Sequence, residues 1–199
     1  MGALAFVFSS GWASGLNCYL VVLVLGISDR VHETSLVPDV LGRWDVLAAA
    51  GFMYAMEFVA DKVPYIDSTW DAISTAIRPT VGAVIGILVA GQADSLNGAV
   101  ALAVGGGTAL ASHAVKAGAR LAINASPEPL SNIAASISED LAVLAVVWYA
   151  IEHPRAAALV AAVFLAGGLV VLYVVAKVVR RGWRRWKGKD GRRAVSPTA

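Results

Sequence analysis

Two stretches of the chain are dense in groups that could do chemistry. Glu57, Asp61, Lys62, Asp67, Asp71 and Arg78 form the first, and His113, Lys116, Arg120, Asn124, Glu128, Glu139 and Asp140 the second. Glu57 and Asp61 are four residues apart and share one helical face. His113, Lys116, Arg120 and Asn124 follow at spacings of three, four and four, which makes a basic face. Asp67, Asp71 and Arg78 share a face if their helix begins early enough. Acidic and basic faces of this kind can pair across a bundle, as charges removed from water must. Seven acids stand against four bases, Lys62, Arg78, Lys116 and Arg120, so three carboxyls lack a cation. That excess suits a bound proton or cation, or carboxyls kept neutral by desolvation. Glu57 and Glu139 are the strongest candidates, because each adjoins the uncharged run of its own helix. The competing expectation is a salt-bridge network that only holds helices together.

Other chemistries fit less well. Asp67-Ser-Thr-Trp-Asp71 could hold Mg²⁺ against a phosphorylated lipid. Membrane prenyltransferases use aspartate-rich segments of that kind, but they need two of them and more helices than this chain can form. No two histidines have metal-ligand spacing, so zinc is not expected, and His113 alone reads as a packed histidine. No resident cofactor is expected, Mg²⁺ or another cation being the one ion the acids could take. Gly105-Gly-Gly107 lacks the Lys-Ser/Thr of a phosphate-cradling loop and reads as a close-packing site. No nucleophile, base and orienting group are legible together, so an enzyme is not expected.

The elements that position these groups are short of apolar length. The uncharged runs 46–56, 80–91 and 141–151 have 11, 12 and 11 residues, whereas a helical span needs about 20. Each reaches full length only by taking charged residues into the membrane, where ionisable groups are costly and face a bundle interior or a wet cavity. With 199 residues, 58% of them hydrophobic, the composition is that of an integral membrane protein. An all-α fold of about six spans is expected, at 3–27, 45–63, 71–91, from Leu96, from about Ile133 and at 156–176. Pro79 is expected in the opening turns of the third, where a proline sacrifices few bonds. Small residues at 9–15, followed by Asn17, suggest close helix packing or a broken helix. They also suggest self-association into a homo-oligomer.

The chain divides into a membrane domain, 1–180, and a basic tail, 181–199, expected to be disordered. Nine of the 16 Lys and Arg residues lie from Lys177 onward. This bias puts the tail in the cytoplasm, and six spans then put the amino terminus there too, in the inner (plasma) membrane. Four arginines around Trp183 and Trp186 suit anionic lipids of the inner leaflet, and a tail tethered beside a span meets lipid before nucleic acid. The first residues lack the basic region of a cleaved signal, so Leu4–Phe8 is expected to begin a retained helix. The single cysteine, Cys18, excludes an internal disulfide.

Glu57-Phe-Val-Ala-Asp61-Lys62-Val-Pro64 with Asp67, Asp71 and Arg78-Pro79 is one half of a recognisable pattern. The other is His113-Ala-Val-Lys116 with Arg120, then Asn124-Ala-Ser-Pro127-Glu128-Pro129 and Asn132. Together they resemble the bacterial integral membrane family catalogued as domain of unknown function 4126, over roughly residues 9–150. The resemblance implies no established activity, substrate or fold, and no residue roles. Gly11–Asn17 and Gly107–His113 each set small residues before a polar one, which suggests two inverted three-helix halves as in many secondary transporters. The expected function is a small transporter or permease with a charged cavity on the cytoplasmic side, coupled to protons or cations. The alternatives are a structural or accessory membrane subunit and a magnesium-dependent enzyme on a phosphorylated lipid.

Overall fold

A computed structural model describes the backbone of residues 2–31, 35–63, 65–124 and 129–193, without side chains at 129, 182–183 and 185–193. The described residues form six α-helices and one 3-10 turn, with no strand. They are α1 (Gly2–Val31), the 3-10 turn Asp39–Gly42, α2 (Trp44–Ala60), α3 (Ile66–Gln92), α4 (Gly98–Ile123), α5 (Pro129–Glu152) and α6 (Pro154–Arg193). Five of them, α1 and α3 to α6, are long and apolar enough to cross a membrane. The protein is thus all-helical and membrane-type.

The sixth expected span is α2. Its 17 residues reach about 26 Å, short of a hydrocarbon core of about 30 Å. Its partner is the second half of α1. Leu23 lies near Gly51, Leu47 near Gly26 and Arg30 over the ring of Trp44, so these two segments run antiparallel as a hairpin. The 40 residues of α6 reach about 60 Å, so its basic end projects well beyond any bilayer.

α1 is the central helix, and small residues bring its neighbours in. A side-chain carbon on Gly11 of α1 would fall 2.6 Å from the Gly105 carbonyl oxygen of α4, and one on Gly82 of α3 would fall 2.7 Å from the same oxygen. Lipid tails are as apolar as leucine, so such backbone contact takes the place of a hydrophobic driving force. Ser112 Oγ donates to the Trp12 carbonyl at 2.7 Å and Ser14 Oγ to the Arg78 carbonyl at 3.2 Å, fixing the register. Gly11, Gly15, Gly82 and Gly105 are thus engaged within the chain, whereas Gly107 and Gly167 have open space beside them.

These contacts also set directions. Trp12 meets Ser112 and Leu16 meets Lys116, so the first half of α1 runs parallel to α4. Inverted halves would make the two helices antiparallel, and the expected inverted repeat is not the arrangement found. Trp12 stacks on Phe164 and Gly2 packs beside Pro154, so the first half of α1 is parallel to α6 as well. Gly2 therefore sits at the end of the bundle away from the basic end of α6. Six alternating spans put both termini at one end. The broken α1 and its hairpin with α2 together traverse the bundle once instead of twice, which separates the termini.

Candidate functional site

The sequence Gly15-Leu-Asn17 interrupts α1. Asn17 has an extended backbone, φ −151° and ψ 93°, within an otherwise helical run. Its Oδ1 accepts from the Leu20 backbone N–H at 3.0 Å, capping the second half-helix as asparagine does at a helix start. Its Nδ2 donates to Asp140 Oδ1 at 3.0 Å. At the other side of the break, the Leu16 carbonyl accepts from Lys116 Nζ at 3.0 Å. A half-helix ends in partial negative charge and begins in partial positive charge, so a cation stands at the first end and a carboxylate near the second.

Around Lys116 the predicted acids converge. Its ammonium is 2.8 Å from Asp61, 3.4 Å from Glu139 and 3.5 Å from Glu57. Arg120 Nη2 donates to Glu139 at 2.9 Å, and Nη1 donates to the Asp61 carbonyl at 3.0 Å and the Asn132 carbonyl at 3.3 Å. Arg78 Nη2 donates to Glu57 Oε1 at 2.6 Å. Arg78 Nη1 is 2.8 Å from His113 Nδ1 and 2.9 Å from Asp71 Oδ1. A guanidinium nitrogen can only donate, so Nδ1 is the acceptor and the ring proton sits on Nε2. Nε2 then donates to Thr75 Oγ1 at 2.9 Å, and the Thr75 hydroxyl donates in turn to the Asp71 backbone carbonyl at 2.9 Å. His113 is therefore neutral here.

Asp67 falls in the first turn of α3, which begins at Ile66, five residues before the expected start. It accepts from the Ser68 N–H at 2.6 Å and from Asn124 at 2.9 and 3.1 Å. The early start places Asp67, Asp71 and Arg78 on one buried face. It also puts Pro79 in the middle of the helix and not in its opening turns. Asp67 and Asp71, the pair that could hold Mg²⁺, turn to different partners, Asp67 to Asn124 and Asp71 to Arg78. Among the described residues no three His, Cys, Asp or Glu side chains group as a metal site. Lys62, past the end of α2, reaches Ser136 at 3.3 Å and covers the Phe58 ring, and that desolvation lowers its pKa from the ordinary lysine value.

All the predicted site residues but one meet here; Glu128 lies outside the described residues. Sequence reasoning did not assign Asn17, Tyr54, Thr75 or Ser136 to the site. Asn17 carries a usable signal, a polar residue after a glycine inside a long apolar run. Six carboxyls, those of Glu57, Asp61, Asp67, Asp71, Glu139 and Asp140, face three buried cations, Arg78, Lys116 and Arg120. Several of their oxygens are buried without a hydrogen bond: Glu57 Oε2, Asp61 Oδ1 and both of Asp71. Leaving such groups unmet costs about 1–3 kcal/mol each, more when they are charged.

A family model described as a domain of unknown function (DUF4126) matches residues 4–174. The chain belongs to this family. The match takes in the whole charged network and the helix break, and stops in α6 before its basic end. No curated protein and no solved structure matches this DUF4126 chain.

Proposed function

We propose that this DUF4126 protein is a small membrane transporter whose charged site, held closed in this structure, exchanges a proton or cation to move a solute. The observation that carries the reading is the imbalance of six carboxyls against three buried cations at a broken helix. A purely structural network needs only pairs, whereas unmet carboxylate oxygens at membrane depth call for a mobile positive charge. Broken helices that offer a carbonyl and a half-helix end to charged groups are a recurrent transporter device. The basic end of α6 lies at the same end of the bundle as the site, so the positive-inside rule sets the site toward the cytoplasm of the cell membrane. Gly2 then faces the other side, and the tail meets anionic lipids.

One observation favours a second reading, a non-transporting accessory subunit. Arg78, Arg120, Glu57 and Asp67 have no exposed side-chain surface, so the centre of the network is closed to water and only its edge, at Glu139, is partly open. The two readings separate in a binding screen. Melting of the purified protein is followed with monovalent cations, divalent cations and small organic solutes at neutral and mildly acidic pH, and hits are carried to uptake in proteoliposomes. The transporter reading expects a solute whose stabilisation changes with pH and which accumulates in vesicles. Pairs that melt alike at both pH values, with no solute effect, leave the accessory reading.

A further inference from the structure

We propose that Asp71 is the proton-binding group of this site, the role that sequence reasoning gives to Glu57 and Glu139. The inference rests on the transporter reading and names its coupling ion as H⁺.

The partners of each carboxyl decide the assignment. Glu57 is bonded to Arg78 and lies near Lys116, and Glu139 is bonded to Arg120 and lies near Lys116. Both are tied to two cations, so neither is the acid that most needs a proton. Asp61 has Lys116 at 2.8 Å and Arg120 at 3.5 Å. Asp67 accepts from Asn124 and the Ser68 N–H, and Asp140 from Asn17 and Tyr54. Asp71 alone among these six accepts no hydrogen bond on either oxygen, although it is 2% exposed. Its contact to Arg78 Nη1 at 2.9 Å lacks hydrogen-bond geometry, and the same nitrogen bonds His113.

The surroundings suit a neutral acid. Ser74, one turn further on α3, has a buried hydroxyl without a partner, and the Trp70 indole N–H beside Asp71 is also unmet. The titratable and charged groups around Asp71 are Glu57 from α2 and Asp61 just past its end, Arg78 from α3, His113, Lys116 and Arg120 from α4, and Glu139 from α5. Cys18 of α1 lies beside Glu57 and Arg78. Among the described residues no three acids group to enclose a metal ion, whereas a proton needs only one unmet carboxyl oxygen, which Asp71 offers.

Binding is a simple transfer. A proton from water adds to Asp71 Oδ2 and turns carboxylate into carboxylic acid, raising the charge of the network by one. Arg78 is then left to Glu57, which ties α2 to α3. Release of the proton restores a second carboxylate on Arg78, in competition with Glu57, and loosens that tie. Asp71 thereby couples protonation to the position of α2.

Infrared spectroscopy of the full-length protein in nanodiscs tests this without a transport assay. The expected result is a carboxylic-acid C=O band at neutral pH that disappears reversibly at alkaline pH. It shifts when aspartate, and not glutamate, is labelled with heavy carbon. It is lost in Asp71→Asn and passes to the glutamate label in Asp71→Glu, so the assignment survives if one variant fails to fold. A band that follows the glutamate label in the wild type overturns the assignment to Asp71 while leaving a proton-binding site. So does one that persists in folded Asp71→Asn. Absence of any such band from acidic to alkaline pH overturns the proton reading itself.

Discussion

Replacing Lys116 by methionine removes the cation on which the site is centred and keeps much of its volume. The ammonium lies within 3.5 Å of Asp61, Glu139 and Glu57 and donates to the Leu16 carbonyl at 3.0 Å. Breaking a buried ion pair by removing one partner costs about 3–5 kcal/mol, because the other charge stays buried. Here three carboxylates lose a shared cation, and the freed carbonyl of the helix break adds about 1–3 kcal/mol if no water reaches it. Taking about 3–5 kcal/mol from the lost cation alone, and about 2–4 °C per kcal/mol for a chain of this size, Tm falls by at least about 6–20 °C. The assay is built into the protein: Cys18 is its single cysteine and is fully buried, so a fluorogenic thiol dye reports opening of the bundle. The loss also carries a pH signature. Protons can neutralise the stranded carboxylates, so the deficit of Lys116→Met shrinks as pH falls, and adding Asp61→Asn restores part of it. A Lys116→Met protein melting within 2 °C of wild type at neutral and acidic pH, a margin below the smallest expected shift, refutes a buried network centred on this ammonium.

Three further outcomes follow from the same geometry. Asn17→Ala loses a half-helix cap worth about 1 kcal/mol, and Asn17→Asp, which sets a second carboxylate against Asp140, destabilises more; melting of the pair checks the order. Gly105→Val drives a branched side chain into the Gly82 backbone of α3, and overpacking of about 1–3 kcal/mol or more lowers the yield of folded protein in detergent, read by size-exclusion chromatography. Cysteines placed at residues 2 and 94 in a Cys18→Ala background react with an impermeant maleimide from one face of sealed vesicles, and those at 65 and 184 from the other. Labelling of 2 and 184 from the same face contradicts the single net crossing of α1 and α2.

Much of the site was legible because charge is conspicuous in an apolar chain. The four-residue step from Glu57 to Asp61 and the run His113, Lys116, Arg120, Asn124 each needed only helical geometry to become a face. What spacing could not give was the pairing, since whether Arg78 takes Glu57, Asp71 or both depends on how α2 and α3 lie sideways. For that reason Glu57 and Glu139 stood out by their depth in the sequence, while the structure ties each to two cations. The six expected helices are all present, and α2 is the one that falls short of a span. An apolar run of 3–27 looks continuous to a hydropathy window, yet Asn17 can cap a new half-helix within it, and α2 then has no need to cross. The inverted-repeat reading failed for a related reason: small residues before a polar one mark a close approach of helices, whether these run parallel or antiparallel.

The central claim, that the excess of carboxyls binds a mobile proton or cation, is tested most directly by charge displacement on a solid-supported membrane carrying the reconstituted protein. Steps of pH at constant ionic strength should drive a transient current in the wild type that saturates with pH. The current should be lost in Asp71→Asn and kept, with its pH dependence moved, in Glu57→Gln, provided each variant stays folded. A wild-type protein that gives no current beyond protein-free liposomes, over pH steps and over cation steps alike, contradicts the account and leaves a network whose charges only hold the helices together.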